Sequence, residues 1–184
     1  TGTAYLYYGN TGGVYTGADV TFTGFGAGTD LPAINLGDIN GDGRTDMMFA
    51  DDTANTGYVV FGGNTGGTIA GSANITLSGI TGTLAGGGAA GDFNGDGYND
   101  FAVAIQDSGE TDIFIIYGGL GGGTYNDSYL FNPDNAFHLE YNSAPAGADF
   151  NISTIGDFNG DGYDDLLIGA PGTSIGGTHA GEAY

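Results

Sequence analysis

The chain has 184 residues and sets one basic side chain, Arg44, against 22 carboxylates, for a formal charge of −21, with no Cys or Trp. This excludes nucleic-acid binding, which needs several cations against phosphates, a Walker-type phosphate loop, which needs a Lys, and zinc fingers, disulfide scaffolds and thiol nucleophiles, which need Cys. Apolar runs such as residues 113–117 fall far short of the roughly 20 needed to span a bilayer, so no membrane insertion is expected.

The chain opens without an initiator Met or a basic-then-apolar leader and reads as a processed or excised piece. Its first element, GTAYLYYG at 2–9, has the aromatic and β-branched content of a strand. A short outer strand is expected at Val20-Thr21-Phe22. Then comes DINGDGRTD at 38–46, followed by the apolar run Met47-Met48-Phe49-Ala50 and the β-rich segment GYVVFG at 57–62. After a short strand at Asn74-Ile75-Thr76-Leu77 the unit returns: DFNGDGYND at 92–100, the apolar run FAVAI at 101–105, and DIFIIYG at 112–118. A third copy, DFNGDGYDD at 157–165, leads into Leu166-Leu167-Ile168, and GEAY at 181–184 repeats the opening GTAY. Continuous apolar runs bounded by turn residues suit strands buried on both faces, and no amphipathic helix is expected. The reading is all-β, as β-propeller blades with one repeat per blade, part of a larger or oligomer-completed ring. A solenoid of stacked β units is the competing architecture. The units are 1–9 (a strand completing a preceding blade), 10–63, 64–119 and 120–184. Hydrophobic residues make up 40% and aromatics 12%, enough for a core, so crowded carboxylates rather than disorder pose the problem. With almost no Lys or Arg, the natural compensator is a cation from solution.

Each nine-residue loop is preceded by Gly and carries Asp, Asn, Asp and Asp at positions 1, 3, 5 and 9, with Gly at position 6. Oxygen ligands at alternate positions converge when a backbone curls around a hard cation, and calcium takes six to eight of them. The expected metal ligands are Asp38, Asn40, Asp42 and Asp46, then Asp92, Asn94, Asp96 and Asp100, then Asp157, Asn159, Asp161 and Asp165. Arg44, Tyr98 and Tyr163, at the side-chain-variable position 7, would add backbone carbonyls. Three Ca2+ sites are expected, chiefly structural, tying strand-to-strand turns and offsetting clustered charge. The plain alternative is that Asn-Gly-Asp-Gly is only a good turn sequence.

These motifs resemble the FG-GAP repeat, the blade of the integrin alpha-subunit head and of many bacterial secreted proteins. Gly169-Ala170-Pro171, Ala180 to Tyr184 and Phe61-Gly62 carry the resemblance, whereas the first two repeats replace Gly-Ala-Pro by Ala50-Asp51-Asp52 and Ala104-Ile105-Gln106. It implies a calcium-bearing propeller with ions on one rim, used in adhesion or ligand binding. The expected function is therefore a non-enzymatic, calcium-stabilised extracellular module that contacts a protein or carbohydrate ligand at a cell surface or matrix. Open strand edges would favour self-association. A Cys-free secreted chain suits a bacterial source. The alternatives are a lectin-like module, or part of a polysaccharide-acting enzyme using Glu140 and Glu182.

Other patterns read plainly. G-x-S-x-G at 172–176 lacks the following helix of a hydrolase elbow. Gly86-x-Gly88-x-x-Gly91 runs into an acidic loop, where a phosphate would be repelled. His138 and His179 are expected to be surface or internally satisfied groups. Tyr5, Tyr7 and Tyr8 read as strand packing rather than a sugar platform. Asn74, Asn126 and Asn151 head glycosylation sequons of the kind chance supplies in a Thr- and Asn-rich chain.

Overall fold

The computed structural model describes residues 2–9, 17–26, 33–51, 53–107, 109–141, 150–170 and 181–184. In chain order the elements are β1 (Gly2–Leu6), β2 (Val20–Phe25), β3 (Ala33–Gly37), β4 (Asp46–Asp51), β5 (Thr56–Val60), β6 (Gly67–Thr68), α1 (Ile69–Ser72), β7 (Ile75–Leu77) and β8 (Thr83–Gly91). They continue with β9 (Asp100–Asp107), β10 (Glu110–Ile116), β11 (Gly123–Tyr125), α2 (Asp127–Leu130), β12 (Ala136–Tyr141), β13 (Asn151–Gly156), β14 (Asp165–Ala170) and β15 (Glu182–Ala183). The protein is all-β, with its sheets arranged as propeller blades. The two helices are single turns of four residues, too short to write a helical period into the sequence.

Two antiparallel meanders, β3-β4-β5-β7 and β8-β9-β10-β12, form complete blades. A third sheet, β13-β14-β15, repeats the first three strands of that pattern, and β1-β2 repeats the last two. The stretch between third and fourth strands of one blade reaches back to the outer edge of the blade before it. Thus β6 pairs in parallel with β2, and β11 with β7. The added strands cover the outer edges of β2 and β7, which would otherwise present unpaired backbone groups.

The apolar cores lie between successive sheets. Phe22 and Phe25 of β2 meet Phe49 of β4 at ring-centroid distances of 5.4 Å, contacts worth about 0.5–1.5 kcal/mol each beyond buried area. Leu36, Met48, Val59 and Ile75 join Phe101, Val103 and Phe114 of the next blade in the largest cluster. A third cluster joins Ala102, Ile113 and Ile115 to Phe150, Ile152 and Ile168. The run in β9 is buried through Ile105, as its unbroken apolar sequence predicts, whereas β14 is only half covered.

The inner strands β3, β8 and β13 lie side by side. Strand β8 has four Gly and three Ala in nine residues, TLAGGGAAG, a composition poor in β-propensity. Close approach explains it: a Cβ on Gly88 would run into the carbonyl of Ile152 on β13.

Candidate functional site: three linked acidic loops

Each acidic loop joins an inner strand to the next strand of its blade, so all three lie on one rim. The Gly residues at positions 4 and 6 have left-handed backbones, with φ of 77° and 83° in loop 1 (Gly41, Gly43), 76° and 91° in loop 2 (Gly95, Gly97), and 80° and 96° in loop 3 (Gly160, Gly162). A side chain at these positions would be strained. The curl turns successive N–H groups inward, toward the position-1 carboxylate.

In loop 1, Asp38 Oδ1 accepts from Gly41 N (2.8 Å) and Asp42 N (3.0 Å), and its Oδ2 accepts from Gly43 N (2.7 Å). Asn40 Oδ1 accepts from Asp42 N, and Asp42 Oδ1 from Arg44 N. Loop 3 repeats the set: Asp157 accepts from Gly160, Asp161 and Gly162, Asn159 from Asp161, and Asp161 from Tyr163. In loop 2, Asp92 accepts from Asp96 and Gly97, Asn94 from Asp96, and Asp96 from Tyr98. The side-chain amides of Asn40, Asn94 and Asn159 also donate to Asp42, Asp96 and Asp161. These are Asx-type turns around an anion nest.

The position-9 carboxylate turns the other way, into the blade. Asp46 accepts from Ile39 N (3.0 Å) and from Gly62 N (2.8 Å) beyond β5. Asp100 accepts from Phe93 N, Asn94 N and Gly118 N at 2.9, 3.1 and 2.7 Å. Both are fully buried, and burial raises both carboxyls, Asp100 to about 6. In loop 3, Asp165 accepts from Phe158 N and Asn159 N and stays half-buried. Asp157 goes the opposite way: the N–H groups of Gly162, Gly160 and Asp161 hold its carboxyl below the ordinary value.

This geometry corrects the metal expectation. Among the described residues, no group of three or more His, Cys, Asp or Glu side chains is placed to hold a metal ion. The structure brings together positions 1, 3 and 5 of each loop: Asp38, Asn40 and Asp42; Asp92, Asn94 and Asp96; Asp157, Asn159 and Asp161. It does not bring Asp46, Asp100 or Asp165 to them, because those carboxylates hold backbone N–H groups at the base of the loop. The Ca2+ sites expected there are not formed, and backbone N–H groups serve as the compensator sought in solution.

The side chains at positions 7 and 8 have a role the sequence reading did not foresee. Tyr98 of loop 2 lies against Gly41 of loop 1, and Tyr163 of loop 3 lies against Gly95 of loop 2. Beside each ring, the position-8 N–H donates to the position-1 carbonyl of the preceding loop: Asn99 N to Asp38 O and Asp164 N to Asp92 O, both 3.2 Å. Gly37 and Gly91, just ahead of loops 1 and 2, leave space for the Asn99 and Asp164 side chains. Arg44, at position 7 of loop 1, lies against Gly62 and Gly63 and has no ion-pair partner among the described residues. The recurring Gly before each loop and the aromatic at position 7 were the sequence signals of this contact.

The remaining candidates separate clearly. His138 Nε2 lies 2.6 Å from Asp112 Oδ1 and its ring stacks on Phe114 at 4.6 Å, so it is internally satisfied. Gly86, Gly88 and Gly91 lie on strand β8. Tyr5, Tyr7 and Tyr8 are exposed, contrary to the packing role expected of them. Of the sequon residues, Asn74 holds Phe61 N through Oδ1, Asn126 precedes α2 and is exposed, and Asn151 begins β13. Residues 172–176, Pro171, Ala180, His179 and the Glu182 side chain lie outside the described residues. Among the described residues no helix is long and apolar enough to cross a membrane.

Comparison with known proteins agrees with this repeat pattern. Residues 38–103 match the family described as FG-GAP-like repeat, and residues 152–184 the family described as FG-GAP repeat. Integrin alpha-PS3 of Drosophila melanogaster is 31% identical over 144 residues, covering 73% of this chain and 13% of that protein. Integrin alpha-PS5 of the same organism is 35% identical over 82 residues, covering 45% of this chain and 8% of that protein. The chain therefore spans only a small fraction of the length of these relatives. Both are animal proteins and lend no support to the bacterial source expected from composition.

Proposed function

Because this chain belongs to the FG-GAP repeat family, with blades similar to those of integrin alpha subunits, we propose that it is a non-catalytic extracellular adhesion-type module. The carrying observation is the rim itself, where three acidic loops in successive contact stand on rigid blade ends. Loop carboxylates whose lone pairs are partly taken by backbone N–H groups remain net acceptors. A rim of such groups on a chain of charge −21 favours a basic protein segment at a cell surface or matrix, and repels anionic ligands.

The test is surface binding of the chain to immobilised matrix proteins across a salt series. Binding that weakens steadily with salt supports the reading, since exposed charges more than about 8 Å apart are screened at physiological ionic strength. Binding confined to a glycan array would move the assignment to a carbohydrate-binding module. Absence of binding to matrix proteins, cells and glycans alike would refute an interaction role.

A further inference from the structure

We infer that Asn94-Gly95, in the middle acidic loop, is a site of spontaneous covalent modification, where the Gly95 backbone nitrogen attacks the Asn94 side chain and converts it to aspartate or isoaspartate. Each loop contains the same run, Asn-Gly-Asp-Gly, at 40–43, 94–97 and 159–162, so in the unfolded chain the three asparagines are chemically alike. Glycine offers its nitrogen without a Cβ in the way. The attack needs that nitrogen stripped of its proton, because in the planar peptide its lone pair is delocalised into the carbonyl. A hydrogen bond from the N–H to a carboxylate stabilises the protonated form and sets a negative charge beside the anion, so it opposes the reaction.

The fold separates the three. Gly41 N donates to Asp38 Oδ1 at 2.8 Å, and Gly160 N to Asp157 Oδ1 at 2.6 Å. The second glycine of each run is held as well, through Gly43 N, Gly97 N and Gly162 N on the Oδ2 of the same position-1 carboxylates. Among the described residues, Gly95 N alone of these six has no acceptor, and Asp92 Oδ1 takes Asp96 N. Loop 1 is the matched comparison: Asn40 and Asn94 are both half-buried, Gly41 and Gly95 are both exposed, and a tyrosine of the next loop lies against each glycine. The two amides are also polarised alike, since Asp42 N and Asp96 N donate to the Oδ1 of Asn40 and Asn94, where negative charge develops during attack. What differs is the one N–H bond.

In the step, water or hydroxide takes the Gly95 amide proton, the bond from that nitrogen to Cγ of Asn94 forms, the Cγ–Nδ2 bond breaks, and ammonia leaves a cyclic imide behind. Water then opens either C–N bond of the ring to give aspartate or isoaspartate, so a water is consumed for each ammonia released. The product adds a carboxylate to Asp92, Asp96 and Asp100 of loop 2. Isoaspartate also lengthens the backbone by a methylene between Asp92 and the Asp96 and Gly97 N–H groups it holds. Loop 2 is therefore the part of the rim that ages first.

Incubation of the folded chain in mildly alkaline buffer, followed by chymotryptic peptide mass mapping and enzymatic methylation of isoaspartate, tests this. Asn94 should convert about ten- to a hundredfold faster than Asn40, the worth of one hydrogen bond to a charged acceptor. In urea strong enough to unfold the chain the two rates should converge. Asp38→Ala, which removes the acceptor of Gly41 N, should bring Asn40 up to the rate of Asn94, with circular dichroism checking that the β signal is kept. Equal rates in the folded wild type, a faster Asn40, a rate gap that persists in urea, or an Asn40 that stays slow in folded Asp38→Ala would each overturn the proposal. The wild-type comparison decides by itself if that variant does not fold.

Discussion

The deepest consequence of the loop geometry concerns Asp100, a fully buried carboxylate that satisfies three backbone N–H groups. Asp100→Ala leaves those three donors without their acceptor. A buried unsatisfied donor costs about 1–3 kcal/mol, giving roughly 3–9 kcal/mol in gross terms. Against this stands relief of a buried charge: a carboxyl held at about 6 carries a penalty on the order of 3 kcal/mol when ionised at neutral pH. The gross range reaches well above that penalty, and water can reach part of the loop, so the expected net loss at pH 7 is about 3 kcal/mol. Urea unfolding followed by far-ultraviolet circular dichroism measures it as a lowered midpoint at unchanged slope. Asp165→Ala is the internal control, because its carboxylate holds two N–H groups and is only half-buried; its cost should stay near or below about 1 kcal/mol. A loss under about 0.5 kcal/mol at Asp100, or equal losses at both positions, would refute the assignment of the buried carboxylate as the organiser of the loop base.

Three further outcomes follow from the same structure. The raised carboxyl of Asp100, at about 6 against an ordinary 3.8, means the folded chain holds more protons than the unfolded one between these values. Its contribution is therefore fully present below about pH 4 and lost as pH rises through 6; unfolding free energy measured from pH 7 down to 4.5 should rise, and Asp100→Asn should flatten that rise. Gly41→Ala should cost more than Gly43→Ala: both demand a left-handed residue, worth about 1–2 kcal/mol, but only Gly41 is covered by the Tyr98 ring while Gly43 faces open space. Equal melting temperatures for the two variants would deny the contact between loops. Gly88→Ala should destabilise by about 1–3 kcal/mol or more through overpacking between β8 and β13, read as a lowered urea midpoint; a neutral result would mean the inner strands are not so close.

Strands whose own side chains fill a core were readable in advance. Residues 101–105 and 113–116 are apolar because both faces of β9 and much of β10 are buried, and their ends are marked by turn residues. Strands β3, β8 and β13 were not readable. TLAGGGAAG carries no hydrophobic period, because its small residues answer to a neighbouring backbone rather than to a side-chain core. Strands β6 and β11 were equally hidden, since two or three residues of edge pairing need only a nearby partner edge.

The acidic loops divide in the same way. Their spacing, their glycines and their threefold recurrence are properties of the chain itself, and they sufficed for the blade repeat and its family. The direction in which each carboxylate points is not. Alternate oxygens compatible with an ion are equally compatible with inward N–H groups, and the choice depends on where the Gly62 and Gly118 amides lie after the chain has crossed a further strand. The packing of Tyr98 and Tyr163 on the loops before them likewise exists only once two blades stand together. Local composition thus fixed the repeating unit and its short-range turns, while the reach of Asp46 and Asp100 to the Gly62 and Gly118 amides and the contacts between loops were decided by neighbours distant in sequence, because a hydrogen bond is set by position in space and not by residue type alone.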